Sequence, residues 1–362
     1  MRRIFAIASK EIRQLRRDRL TFGMIVGLPL LQMILFGYAI NFDVRGLSAA
    51  VVDDARTSMS RALVADMEAT GTLKVREYAS SEADLRRRLR SGEVSIGVYI
   101  PADFERRRVV GGQPLAQLLV DGSEPTIENI ARGFAAMPLP VREGIYGSSQ
   151  QVFEVRTEYN PEKRTAVQIV PTLIGVILTM TMTMFTAMAI VRERERGNLE
   201  LLITTPASSL ELMLGKLVPY IFIGLIQATL VLMLGVLLFG VPINGSLFAF
   251  YAAALLFIAA TLTLGLIAST LAQTQIQAFQ MSIFVLLPSI LLSGFVFPFD
   301  GMPPAARWIA QLLPLTHFVE LVRGIVLRGA GLAELQVPIY KLLAFTAVAL
   351  TVVTLRFHKR LD

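Results

Sequence analysis

The sequence contains no cysteine, so the chain can form no disulfide bond, thiolate nucleophile or thiolate metal site. Its only two histidines, His317 and His358, lie in regions of different composition, which argues against a histidine-based metal site. The sequence also lacks a G-x-x-x-x-G-K-S/T loop that would hold the phosphates of ATP. Lys216 follows Gly215, but Leu217 stands where that loop requires Ser or Thr. We therefore expect no catalytic residue, metal or cofactor on this chain.

Charged residues are also scarce, at 17% of 362 residues against 54% hydrophobic ones, and the mean hydropathy is +0.57. Soluble domains carry about 25% charged residues. Several apolar runs reach the roughly 20 residues needed to cross a bilayer. The composition predicts a multi-pass helical membrane protein. Because no aromatic residues alternate with the basic ones, the net charge of +7 indicates contact with anionic lipid headgroups and no binding of nucleic acid.

Six membrane spans are predicted, at 20–40, 166–191, 217–239, 247–271, 278–297 and 338–355. Seven basic residues precede the first span, so the positive-inside rule places the N-terminus in the cytoplasm. An even number of crossings returns the C-terminus to the same side. The remaining parts are an interfacial amphipathic helix at 1–19, a cytoplasmic tail at 357–362 and, within the transmembrane domain 166–356, a proline-broken segment at 298–337. That last segment is predicted to form two short helices that dip into the outer leaflet.

Residues 41–165 form a polar insertion of domain size between the first two spans. Short apolar runs at Leu47–Val52, Leu73–Tyr78, Val94–Ile100 and Leu115–Val120 alternate with helical patterns at 57–69 and 81–90. Such alternation predicts an α/β domain, which lies outside the cytoplasm if the first span crosses the membrane. Asp53-Asp54 and Asp121-Gly122-Ser123 follow two of these strands, and we interpret them as structural turns rather than ligand positions.

A charged link, 192–216, separates the second and third predicted spans. Its first five residues continue the preceding helix, and Gly197 ends or bends that helix. Residues 199–204 are apolar enough for a short amphipathic helix, which Pro206 ends. Spacing alone leaves two interpretations of the link: an ordinary loop with positive-inside charge, or a docking element for a partner protein.

The order of these parts resembles the type-2 ABC exporter permeases, in the bacterial branch with a large external domain between the first two spans. The stretches EYNPEKRTAVQIVPTLIGVIL (158–178) and RERERGNLELLITTPASSLELMLGKLVPY (192–220) are the most similar to that family. Residues 16–40, 91–104 and 313–332 are similar to its first span, an external strand-Pro-helix turn and an outer re-entrant segment. The resemblance covers essentially the full length. Asn198 departs from the family, which usually has Thr there, and Thr172 replaces a usual glycine.

The resemblance implies a transport subunit of the bacterial inner membrane that exports an amphipathic or hydrophobic substrate, such as a drug, lipid or glycolipid. It also implies a separate ATP-binding cassette subunit that holds ATP-Mg, a second permease subunit and, in some members, a periplasmic adaptor. The link would then be the element that couples the two subunits. The residues expected to carry this contact are Arg192, Glu193, Arg194, Glu195, Gly197, Asn198, Leu199, Glu200, Leu202, Thr205, Pro206 and Lys216.

A second set of polar residues lies inside the predicted spans. These residues either pack helices together or line a path for the substrate, and they are Gln32, Gln168, Thr172, Thr179, Thr183 and Gln227. The spans carry no ionisable residue near their middle, which disfavours a secondary transporter driven by an ion gradient. A membrane-anchored receptor or assembly factor with an external ligand-binding domain is the other alternative, although a sensor requires only one or two spans.

Overall fold

The computed structural model describes residues 46–110, 113–123, 125–136, 152–162, 164–195, 209–296, 299 and 302–356. Four of the predicted parts lie outside the described residues: the interfacial helix 1–19, the first span 20–40, the central part of the link at 196–208 and the tail 357–362.

The first part of the described chain is a five-stranded sheet with helices packed on it. Its strands are β1 (Leu47–Asp53), β2 (Leu73–Tyr78), β3 (Ile96–Ile100), β4 (Ala116–Asp121) and β5 (Phe153–Glu158). The strand order is β2-β1-β3-β4-β5, and all neighbours are parallel except the antiparallel pair β3 and β4. The helices are α1 (Ser58–Ala69), α2 (Glu82–Ser91), α3 (Phe104–Val110) and α4 (Pro125–Ala136). Apolar side chains on both faces of the sheet are buried, including Leu47, Val98, Phe104, Leu85 and Leu89.

The four predicted strands and both predicted helices of this domain are confirmed, within two residues at either end. Two of the helix starts show the expected capping chemistry. The Thr57 hydroxyl accepts a hydrogen bond from the Ser60 amide before α1, and Ser81 accepts one from the Asp84 amide before α2. No prediction was made for β5 or α4, and α3 was implied only by the resemblance of residues 91–104 to a strand-Pro-helix turn.

Five described helices are long and apolar enough to cross a membrane. They are α5 (Thr165–Glu195), α6 (Ser209–Phe239), α7 (Leu247–Leu271), α8 (Gln275–Leu292) and α11 (Gln336–Arg356). Each overlaps one of the predicted spans. The predicted span 278–297 was too far along the chain, because α8 begins at Gln275 after the cap residue Thr274 and ends before Gly294, which has a φ of 81°.

Two shorter helices lie between α8 and α11, as predicted for the proline-broken segment. α9 (Pro304–Gln311) and α10 (Pro314–Val322) meet at an angle of 84°, and α10 continues into a π-helical turn at Arg323–Leu327. Proline at the first position of each helix fixes where it begins. The bend makes the pair either a broken span or a re-entrant hairpin by length and composition.

Helix α5 packs against α6, α7 and α8 and is central to the membrane domain. Small residues allow this close packing, as is common between membrane helices. A Cβ atom on Gly265 of α7 would lie 2.7 Å from the Thr183 carbonyl oxygen of α5. Nearer the start of α7, the ring of Phe257 stacks on that of Phe318 in α10 with centroids 4.2 Å apart. The bent pair is thereby joined to the helices that cross.

The variant Gly265→Ala is expected to destabilise the protein by about 1–3 kcal/mol, because the added methyl group meets backbone that cannot move aside. Gly133→Ala in α4 is the matched control, since a Cβ atom there meets no other atom within 4 Å. Alanine favours a helix over glycine, so the control should unfold at the same temperature as the wild type or slightly above it. The measurement is the thermal unfolding midpoint of the full chain in detergent. Equal midpoints for the two variants would contradict the tight α5–α7 contact.

Candidate functional site

The C-terminal end of α5, where the link begins, is hydrogen-bonded to the turn between α7 and α8. Arg194 Nη1 donates to the carbonyl oxygen of Ala272 at 2.9 Å. The Glu195 carboxylate accepts from the backbone amide of Gln275 at 3.0 Å and from its side-chain Nε2 at 2.5 Å. Arg192 Nε donates to Gln275 Oε1 at 3.2 Å. The start of the link is therefore fixed to a second turn of the membrane domain.

The structure describes only part of the predicted coupling set. Arg192, Glu193, Arg194 and Glu195 lie on α5, and Lys216 lies within α6. The other members lie outside the described residues: Gly197, Asn198, Leu199, Glu200, Leu202, Thr205 and Pro206. Their contact with an ATPase subunit stays a prediction. Sequence reasoning did not identify Gln275, because nothing in the local pattern indicates which turn lies beside the link.

The N-terminal end of α5 is bonded to the α/β domain. Gln168 Nε2 donates to the carbonyl oxygen of Gly122 at 2.9 Å, and both groups are buried. Asn160 accepts from the Arg164 amide at 3.1 Å and donates to its carbonyl oxygen at 3.2 Å, which stabilises the turn into α5. The Arg164 guanidinium also donates to the Phe239 carbonyl oxygen at the end of α6. One helix thus contacts the link at one end and the sheet at the other.

The end of β4 is joined to the π-helical turn by a buried ion pair. Arg328 Nη1 lies 3.2 Å from Asp121 Oδ2, and each side chain is 5% exposed. Arg328 Nη2 also donates to the carbonyl oxygen of Glu320 at 3.4 Å. Burial, together with the nearby Asp121 carboxylate, raises the pKa of Tyr159 to about 12, so its phenol stays neutral at this contact. An exposed pair, Arg90 with Glu334 at 2.9 Å, joins the same two parts.

The geometry contains no sign of a catalytic centre in the described part of the chain. No group of three or more His, Asp or Glu side chains there could hold a metal ion. The described residues form a set of membrane helices. Charged groups lie at one end of α5, and the α/β domain contacts its other end. A sequence model of the ABC-2 family transporter protein matches residues 19–355.

The chain belongs to the ABC-2 transporter family. The predicted resemblance is therefore confirmed, and the chain is a transmembrane permease subunit of an ABC exporter, with ATP hydrolysis on a separate subunit. It is 32% identical to the "Probable multidrug ABC transporter permease YbhS" of Escherichia coli, an alignment that covers 100% of this chain and 98% of that protein. It is 29% identical to the permease YbhR of the same organism, over 95% of each chain. A third relative, the "Inner membrane transport permease YhhJ", is 28% identical over 99% of this chain and 98% of that protein.

In this ABC-2 permease, the polar residues suggested for a substrate path are bonded within the chain. Thr172, Thr179 and Thr183 are buried on the inner face of α5, and each hydroxyl donates to a backbone carbonyl oxygen. Gln227 accepts from the Thr181 hydroxyl at 2.8 Å. Gln168 holds the α/β domain as described above, and Gln32 lies outside the described residues. The role of this set in transport stays a prediction.

A different face of α5 is exposed and apolar. Ile169 is 42% exposed, Met180 40% and Phe185 37%, although other faces of this helix pack against α6, α7 and α8. Positions four and seven or eight apart on a helix share a face, so half-buried Leu173, Val176 and Met184 continue the same stripe. These residues (169, 173, 176, 180, 184 and 185) together form an exposed apolar α5 stripe.

Proposed function

We propose that α5 carries movement of an ATPase subunit from the link to the α/β domain. The observation that supports this most strongly is that α5 is one continuous helix of 31 residues, bonded at both ends. At 1.5 Å per residue its length is about 46 Å, enough to join the two faces of a membrane. A push on the link is then transmitted by Glu195 and Arg194 to the α7–α8 turn and by Gln168 to Gly122. Binding of ATP shifts the equilibrium because it favours one arrangement of these contacts.

The orientation proposed for this mechanism has the link and both termini in the cytoplasm and the α/β domain outside it. The charges of the sequence support this orientation, since seven basic residues precede the first span and three end the chain. In a bacterium this is the inner membrane, where an external domain can also meet a periplasmic adaptor.

The proposed substrate is an amphipathic or hydrophobic molecule, and the proposed assembly contains two permease subunits. The names of the relatives YbhS and YbhR, each a "probable multidrug" permease, support the substrate class. The α5 stripe supports both parts, because methionine and phenylalanine adapt to varied apolar shapes. If the α5 stripes of two permease subunits face each other, they form an apolar path at the subunit boundary.

Single cysteines in this cysteine-free chain test the orientation. Ser58 in α1 and Gln273 in the α7–α8 turn are both exposed, so a cysteine at either position should react fully once the membrane is opened. In spheroplasts, whose outer membrane has been opened and whose inner membrane is intact, a membrane-impermeant maleimide is expected to label Ser58→Cys and leave Gln273→Cys unlabelled. The wild-type chain is the control for background. Labelling of Gln273→Cys alone would reverse the proposed orientation.

A further inference from the structure

A cavity of about 410 Å³ lies where the α/β domain meets the bent pair α9–α10. The α/β domain contributes Arg76 and Glu93, and the helices contribute Arg307, Arg323, Arg328 and Lys341. Ligand pockets in proteins are commonly about 300–1,000 Å³, so the space suits a small polar group. Nothing in the transport mechanism derived above uses this cavity.

The walls of the cavity carry more positive than negative charge. Five basic side chains line it, against the two carboxylates Glu93 and Glu320. Arg328 is paired with Asp121, which does not itself line the cavity. With that pair counted as neutral, the cavity has an excess of two positive charges. Arg323 and Arg328 are themselves buried, at 4% and 7% exposure. Cations gathered in a cavity with low-dielectric walls produce a positive potential that attracts an anion.

One donor at the cavity has no acceptor in the part of the chain that the structure describes. Arg328 lines the cavity, and its Nε is buried without a hydrogen-bond partner among the residues that the structure describes. Its two terminal nitrogens are used by Asp121 and the Glu320 carbonyl group. A buried guanidinium donor without an acceptor is costly, and phosphate oxygens are well suited to satisfy it.

We propose that this cavity binds a phosphate-type anion, and that its source is the headgroup of an anionic phospholipid. Apolar surface next to the cavity favours a lipid over a soluble phosphate. In α11, Val337 and Tyr340 are exposed one turn and one residue before Lys341 of the cavity lining, and Ile309 and Leu312 are exposed at the end of α9. Acyl chains can lie along these side chains while the phosphate occupies the charged space. Placement of the site in the outer leaflet rests on the proposed orientation, whereas its chemistry does not.

The test uses the purified full-length chain, stripped of lipid in an uncharged detergent. Binding of dioleoyl-phosphatidylglycerol and dioleoyl-phosphatidylcholine is measured by native mass spectrometry across a lipid titration. The variant Arg76→Gln/Lys341→Gln removes two exposed cations of the cavity, so the fold should tolerate it. Arg61→Gln/Lys74→Gln is the matched control, because it removes the same charge from exposed positions of the α/β domain that do not line the cavity.

We expect the apparent affinity for phosphatidylglycerol to fall about tenfold in the cavity variant and less than about twofold in the control. Wild-type protein should prefer phosphatidylglycerol to phosphatidylcholine, and added salt should reduce that preference, since part of the cavity is open to solvent. If inorganic phosphate displaces the lipid and binds alone with the same sensitivity to the variant, the anion is a soluble phosphate.

Equal binding of phosphatidylglycerol by the cavity variant and its control would overturn the proposal. Equal binding of the two lipids by the wild type would do the same. The measurement is made in micelles, where both faces of the protein are accessible, so it does not depend on the proposed orientation. The cysteine labelling described above tests that orientation separately.

Discussion

Replacement of Arg328 by glutamine is expected to destabilise the protein by about 3–5 kcal/mol, the usual cost of breaking a buried ion pair. The change leaves the Asp121 carboxylate 5% exposed and without its cation, in the contact between β4 and the π-helical turn. It also removes the donor to the Glu320 carbonyl oxygen. The loss should appear as a large fall in the thermal unfolding midpoint of the full chain in detergent.

Two further variants separate the buried pair from general effects of lost charge. Arg90→Gln breaks the exposed pair with Glu334, whose side chains are 42% and 29% exposed, and should cost less than about 1 kcal/mol. Arg328→Met combined with Asp121→Leu removes both buried charges, so it should recover much of the stability lost in Arg328→Gln. If Arg328→Gln unfolds at the same temperature as Arg90→Gln, the pair does not hold the two parts together.

Local patterns in the sequence were sufficient to locate most of the elements. The run Leu73–Tyr78 and the helix after Ser81 were predicted almost residue by residue, because alternation and capping act over short distances. Helix α4 was missed although its signal is local: Pro125 begins it, and Ile127, Ala131 and Phe134 lie buried on one face. Strand β5 was missed because its short pattern lies among polar residues.

Contacts between distant segments were not predictable from the same patterns. Asp121 and Arg328 are 207 residues apart, and the interpretation of Asp121-Gly122-Ser123 as a structural turn did not identify this partner. Likewise, Glu195 and Gln275 are 80 residues apart. The threonines of α5 were predicted either to pack or to line a path. Thr172 and Thr179 bond to carbonyl groups one turn back in the same helix, whereas the Thr183 hydroxyl donates to the Thr261 carbonyl oxygen of α7, 78 residues away. Such contacts depend on how whole helices lie beside each other.

The variant Leu202→Asp is expected to abolish export by preventing the ATPase subunit from binding. We expect Leu202 to enter an apolar groove of that subunit, and an unpaired carboxylate in a dry groove costs several kcal/mol. That cost corresponds to a loss of binding of roughly 100-fold or more. Val110→Asp is the matched control, since Val110 is exposed in the α/β domain and its replacement should affect neither binding nor insertion. The measurements are co-purification of the ATPase subunit and transport in membrane vesicles.

A second variant distinguishes binding from coupling. Glu195→Arg removes the acceptor for both Gln275 donors, so the end of α5 loses two hydrogen bonds to the α7–α8 turn. Although Glu195 was predicted as part of the contact with the ATPase subunit, its carboxylate is bonded to Gln275 within the chain. The apolar residues of the link are unchanged, so the ATPase subunit should still co-purify while substrate no longer stimulates ATP hydrolysis. Glu154→Arg in β5 is the control for the same reversal of charge, at an exposed residue of the α/β domain. If the link is an ordinary loop, both Leu202→Asp and Glu195→Arg should export at the wild-type rate, with the ATPase subunit bound and stimulated by substrate as before. That outcome would contradict a coupling role.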